Sequence, residues 1–339
     1  MRAVVVGLCA AFAATWSGGA AAQSLTAVPD FGRAWGENPG NLLMHEYVPP
    51  DAAGAVPVVV VLHGCKQNAR LYAEGSGWLA LAAAGKFALV APEQKAVNNS
   101  SLCFNWFYSG DNGILPGEQT SIANMVEHLG RRVPIDRKRL YVTGLSAGGG
   151  MAAVMLAVYP NWFAGGSLVA GVPYRCAAGA TSLFPGGDVT NAFACMQGRV
   201  NRKPQDWGKL VRDIAAQRLR HSYDGPWPTV AIWHGTTDPT VAPTVSGELT
   251  EQWTNVHGVP AKPVRVEPVP AGTVPLTRET YAGTDGRAVV VRYLLEGFPH
   301  ATPIDPAPSA ARCGTPSEHI RDADLCAALV TAKDWGLVP

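Results

Sequence analysis

The chain is 339 residues long, 47% hydrophobic and 16% charged, apolar enough to bury a large core and too apolar for a disordered chain. Its 27 basic and 26 acidic residues leave a formal charge of +1, which speaks against a polyanion-binding surface, so neither a nucleic-acid nor a membrane partner is expected. At the start, Arg2, an apolar run and Ala20-Ala21-Ala22 follow the order of a secretory signal peptide over residues 1–22, and the apolar run is shorter than the roughly 20 residues that span a bilayer. Cleavage before Gln23 and a secreted protein, extracellular or periplasmic, are therefore expected, with residues 23–339 forming one domain.

After a polar, proline-bearing entry over 29–57, residues 58–62 are unbroken valine and leucine, the pattern of a strand buried on both faces. A helix is expected over 78–84 and a second buried strand over 87–90. Ile122, Met125, Val126 and Leu129 put one apolar face on a helix over 118–131. A strand at 139–142 is followed by a helix at 147–158, where Met151, Val154, Met155 and Val158 repeat the period. Strands at 167–170, 229–233 and 288–295 and a helix at 245–256 complete the alternation. Such alternation implies an α/β fold, a mostly parallel sheet flanked by helices. The Gly-, Pro- and aromatic-rich segment 172–228 is expected to be an irregular insertion over the active site rather than a domain of its own.

Gly144-Leu145-Ser146-Ala147-Gly148 fits G-x-S-x-G between an expected strand and an expected helix, the context of a nucleophile elbow in an α/β-hydrolase fold. A serine hydroxyl needs a base to take its proton and an acid to orient that base, in the chain order Ser, Asp, His. "AIWHGTTDPTV" sets Asp238 beyond one strand, and "YLLEGFPHATP" sets His300 beyond another. In a parallel sheet those strand ends share one rim. Ser146, Asp238 and His300 are thus the candidate catalytic residues, and the remaining histidines, His234 included, are expected to be structural or surface groups. The oxyanion donors are expected to be the amides of Ala147 and of Cys65 in "LHGCKQNA". No metal or organic cofactor is required by this chemistry.

Export changes the reading of the cysteines. Cys9 leaves with the signal, and six remain, an even number suited to an oxidising compartment but open to about 15 pairings by sequence alone. Nearest-neighbour pairing gives Cys65 with Cys103, Cys176 with Cys195 and Cys313 with Cys326. The first bridge would pin the loop at Cys65 against "CFNWF", bringing Trp106 and Phe107 toward the substrate; Phe104 is as well suited to the core.

"LHGCKQNA", "NNSSLCFNWF", "YVTGLSAGGGMAAVMLAVYP", "FAGGSLVAGVPY", "AIWHGTTDPTV" and the final "DWGL" together resemble the secreted polyhydroxybutyrate depolymerase family of serine esterases, α/β-hydrolases related to feruloyl and acetylxylan esterases. The resemblance implies hydrolysis of poly(3-hydroxybutyrate) or its oligomers through an acyl-enzyme, with Ser146 as nucleophile, Asp238 and His300 as its partners, and Cys65 at the oxyanion turn. Pro299 stands where the family usually has glycine before the histidine. The sequence given ends at Pro339, without the linker and polymer-binding domain of many members, an expectation against attack on crystalline granules that leaves oligomers, amorphous polymer or small esters open. Two alternatives remain at this level: an esterase acting on feruloyl or acetyl groups of plant polysaccharide, and, from another class, a non-catalytic secreted binding module on the same fold.

Overall fold

The computed structural model describes residues 24–34, 36–50, 54–178, 187–270, 272–307 and 313–339; the expected signal segment 1–22 lies outside them. In chain order the elements are β1 (Thr26–Ala27), β2 (Leu43–Tyr47), β3 (Val56–Leu62), α1 (Ala69–Gly75), α2 (Trp78–Gly85), β4 (Ala88–Glu93), α3 (Glu118–Gly130), β5 (Ile135–Leu145), α4 (Ala147–Val158) and β6 (Gly165–Val169). They continue with α5 (Gly187–Met196), α6 (Pro204–Leu219), β7 (Thr229–Gly235), α7 (Val245–Val256), β8 (Arg265–Val269), β9 (Leu276–Ala282), β10 (Ala288–Leu295), β11 (Thr302–Ile304), β12 (Ile320–Asp322) and α8 (Ala327–Asp334).

Ten of the strands form one sheet in the order β1-β2-β4-β3-β5-β6-β7-β10-β9-β8. Its centre, from β4 to β10, is parallel, and both edges are antiparallel. Alternate residues of each central strand point to opposite faces. Val58, Val60, Leu62, Val142 and Ile232 pack with α3, α4, α6 and α7 on one side, whereas Val59, Val61, Leu145 and Trp233 pack with α1, α2 and α8 on the other. Covered on both faces, these strands have no polar side to show, which is why they read as continuous apolar runs. The "DWGL" near the end is structural: Trp335 stacks on Tyr141 at 4.4 Å between ring centroids, and Leu337 is buried.

One expectation needs correction. Segment 172–228 is not irregular throughout, because it contains α5 and α6. In α6, Trp207, Val211, Ile214 and Ala215 form a buried helical stripe, and Pro204 begins the helix at a position that tolerates a missing N–H. The glycine and proline density of the flanks hid that period. Also unforeseen were the short helix α1 and the edge strands β2, β8 and β9, whose exposed or mixed residues carry weak periodicity. Among the described residues no helix is long and apolar enough to cross a membrane.

Candidate active site

Because β3, β5, β7 and β10 run parallel, their C-terminal ends meet along one edge. Ser146 follows β5, Asp238 lies three residues beyond β7 and His300 five beyond β10. At Ser146 the backbone has φ +56° and ψ −118°, a left-handed conformation that costs a non-glycine residue roughly 1–3 kcal/mol. The turn is over-determined: the Ser146 N–H donates to the Val169 carbonyl at 2.9 Å, and the Gly150 N–H to the Ser146 carbonyl at 2.8 Å. Both framing glycines are sterically required. A Cβ on Gly144 would lie 2.4 Å from the Gly148 backbone, and one on Gly148 would lie 2.2 Å from the Leu62 carbonyl oxygen.

His300 Nδ1 donates to Asp238 Oδ2 at 2.7 Å, with both side chains buried. The other carboxylate oxygen accepts the Thr240 and Val241 amides at 2.8 and 2.9 Å. Burial opposes the negative charge of Asp238, but the His300 hydrogen bond and charge, with the Val241 amide, outweigh it and hold the carboxyl below its ordinary range. His234, expected to be a packed residue, is buried beside this pair. Its Nε2 donates to the Val241 carbonyl at 3.0 Å, and burial keeps its pKa low, so it braces the Asp238 loop as a neutral ring. Ser146 and His300 both line a cavity of about 340 Å³.

The loop after β3 is held residue by residue. Gln67 Oε1 accepts the Gly64 N–H at 2.9 Å, the Lys66 N–H donates to the Ser101 carbonyl at 2.8 Å, and Asn68 caps α1. Cys65 is bonded to Cys103, and bridges also join Cys176 to Cys195 and Cys313 to Cys326. Among the described residues neither the Cys65 nor the Ala147 amide donates to a protein acceptor. Both are therefore available to an oxyanion.

Sequence reasoning missed His63 and Glu118. His63 is fully buried, its Nε2 accepts the Gln94 N–H at 3.1 Å, and its Nδ1 lies 2.7 Å from the Gly64 carbonyl oxygen. A ring nitrogen that accepts from an amide carries no proton, so the proton is on Nδ1 and is donated to Gly64. Burial pushes the His63 pKa down to about 4, keeping the ring neutral. Glu118 accepts three hydrogen bonds, from the Asn105 backbone at 2.7 Å, the Asn105 side chain at 2.9 Å and Gln94 at 2.5 Å. Burial and the neighbouring Asp111 charge push its pKa up to about 8. These contacts fix the loop that carries Trp106 and Phe107. The only sequence signal for either residue is a polar side chain in an otherwise apolar or loop-bound setting.

Trp106 and Phe107 line a second cavity of about 760 Å³, together with Ser146, Ala147, Val172 and Phe193. Trp106 packs over Gly150, where an added Cβ would lie 2.8 Å from the indole. Phe104 is core and lies against His63 at 4.8 Å between ring centroids. Phe193 and Met196 come from α5, so the insertion supplies one wall of the site.

The family model described as Esterase PHB depolymerase matches residues 42–265. The chain is also 42% identical over 315 residues to poly(3-hydroxyalkanoate) depolymerase C of Paucimonas lemoignei, across 93% of this chain and 70% of that protein. The chain belongs to the esterase PHB depolymerase family. It is 34% identical to acetylxylan esterase A of Aspergillus oryzae over 70% of this chain and 72% of that one. Among solved structures, the acetyl xylan esterase from Aspergillus awamori superposes with a TM-score of 0.67 at 28% identity, covering 82% of this chain and 94% of that one. As a member of this esterase family, the chain is a carboxylic-ester hydrolase with the α/β-hydrolase fold, which sets aside the non-catalytic binding module.

Proposed function

We propose that the protein is a secreted serine esterase that hydrolyses the ester bonds of poly(3-hydroxybutyrate) or its oligomers. The observation that carries the reading is the 2.7 Å hydrogen bond from His300 to Asp238, with His300 sharing a cavity with the strained Ser146. Ser146 Oγ attacks the ester carbonyl and gives its proton to His300, while Asp238 orients the ring and stabilises the imidazolium. The Cys65 and Ala147 amides receive the oxyanion. His300 protonates the departing alcohol, and water then releases the acyl group by the same route. The 42% identity to a poly(3-hydroxyalkanoate) depolymerase favours a 3-hydroxyacid polyester as substrate. Three disulfides and the signal-like residues 1–22 favour export to an oxidising compartment.

A second reading, removal of acetyl groups from xylan, is favoured by the 0.67 TM-score to an acetyl xylan esterase. It uses the same residues on another acyl group. Purified protein and its Ser146→Ala variant, assayed on amorphous poly(3-hydroxybutyrate), acetylated xylan and methyl ferulate, separate the readings. Serine-dependent release of 3-hydroxybutyrate products is expected; release from acetylated xylan or methyl ferulate alone moves the assignment to the polysaccharide esterases.

A further inference from the structure

Ser146 stands where the two cavities meet. Cys65, Lys66, Ser146, Met196 and Thr240 border both, but Trp106, Phe107 and Ala147 line only the larger, and His300 and His319 only the smaller. This asymmetry determines which half of an ester goes where. In the first step the bond from Ser146 Oγ to the carbonyl carbon forms and the bond from that carbon to the alkoxy oxygen breaks. The proton that His300 took from Ser146 passes to the departing alkoxy oxygen. The alcohol half must therefore stand within reach of His300, in the smaller cavity, leaving the acyl half against Trp106 and Phe107. In the second step water supplies the hydroxyl that displaces Ser146 from the acyl carbon and the proton that returns to Ser146 through His300.

On the polyester reading, on which this inference rests, a 3-hydroxyacid oligomer has a direction. Its acyl half ends in a hydroxyl and its alcohol half in a carboxylate. The single charge of a short substrate consequently falls in the smaller cavity, which at about 340 Å³ against about 760 Å³ accommodates less chain than the larger. The exposed Lys66 stands where the smaller cavity joins the larger, bordering both. Its backbone is fixed by the amide bond to Ser101, by the neighbouring Cys65–Cys103 bridge and by a left-handed φ of +61°. Glu318, the acid on the same rim, faces His319, with 3.5 Å between Oε1 and Nε2.

We propose that the smaller cavity is a leaving-group subsite for the carboxylate-terminal unit of a short 3-hydroxyacid oligomer, and that Lys66 is the specificity-determining residue that recognises this carboxylate. The test uses the 3-hydroxybutyrate dimer, which has one ester bond, as the free acid and as its uncharged terminal carboxamide. Wild-type enzyme is expected to favour the free acid in kcat/KM. In Lys66→Gln the ratio of acid to amide should fall about fivefold, the scale of an exposed ion pair, while Lys66→Arg should retain it. Raising ionic strength from about 0.02 M to about 0.5 M should lower the ratio in wild type and leave Lys66→Gln unmoved, since salt screens exposed charge. An unchanged ratio in Lys66→Gln, with both dimers cleaved, overturns the subsite and leaves the esterase reading standing. Failure of wild type to cleave either dimer while it deacetylates xylan overturns the polyester reading and the subsite with it.

Discussion

The imidazole of His63 holds the carbonyl oxygen of Gly64, Nδ1 to O 2.7 Å, and so orients the peptide that joins Gly64 to Cys65. In a trans peptide the C=O and N–H point in opposite directions. A carbonyl drawn toward the buried ring turns the Cys65 N–H the other way. Since Cys65 borders both cavities at Ser146, His63 acts as a positioning residue for a proposed oxyanion donor.

His63→Gln is therefore expected to lower kcat by about 10- to 100-fold, less than the roughly 10²–10³ of outright donor loss because the Cys65 N–H is misaimed rather than removed, while KM changes little. Uniform binding is untouched if the donor matters only once the oxyanion forms. Steady-state kinetics on a soluble ester checks this, with circular dichroism confirming the fold. A rise in KM at constant kcat would contradict the positioning role.

The same ring predicts an acid weakness. The His63 pKa is near 4 when folded and near 6.5 when unfolded, so between these values the unfolded chain binds more protons. Its contribution to stability is complete above about pH 6.5 and is lost as pH falls toward 4, on the order of 3 kcal/mol in all. Urea denaturation of wild type and His63→Gln from pH 4 to 8 measures it. The variant should be less stable at neutral pH and show a shallower acid decline; parallel pH curves would exclude His63 as a source.

Ser146 is expected to trade stability for its place at the edge of both cavities. Glycine accepts a φ of +56° without the Cβ penalty, so Ser146→Gly should be inactive yet about 1 kcal/mol more stable than Ser146→Ala. Thermal unfolding of the two inactive variants isolates the backbone effect. Equal midpoints would mean that the turn stores no strain.

The Glu118 side chain accepts hydrogen bonds from Gln94 and twice from Asn105. Above about pH 8, where the Glu118 carboxyl is ionised, Glu118→Gln keeps the shape but turns an NH2 toward a donor, leaving buried groups mismatched, at a cost of about 1–3 kcal/mol. Because those bonds hold the loop of Trp106 and Phe107, KM for bulky acyl esters should rise more than KM for acetyl esters. Chemical denaturation and a chain-length series of p-nitrophenyl esters test both parts. A stability unchanged from wild type would show that the network tolerates the reversed donor.

The sequence by itself determined whatever depends on near neighbours along the chain. The apolar run 58–62, the period of Ile122, Met125, Val126 and Leu129, and the glycines around Ser146 each carry their physics within a few residues. They were enough for the strand and helix alternation, the elbow and the shared rim that brings Asp238 to His300. Each bridge joins consecutive cysteines of the described chain, one of the about 15 pairings that six cysteines leave open by sequence alone. Only the tertiary structure decided the rest. The tautomer of His63 follows from an amide 31 residues away, and the charge of Glu118 is shaped by burial and by Asp111 rather than by any local pattern. The division of the site into two cavities requires α5, the loop of Trp106 and the His300–His319 region to converge on Ser146. Hydrophobic period and turn chemistry are local, whereas desolvation, proton placement and cavity shape are properties of groups that meet only when the chain has folded.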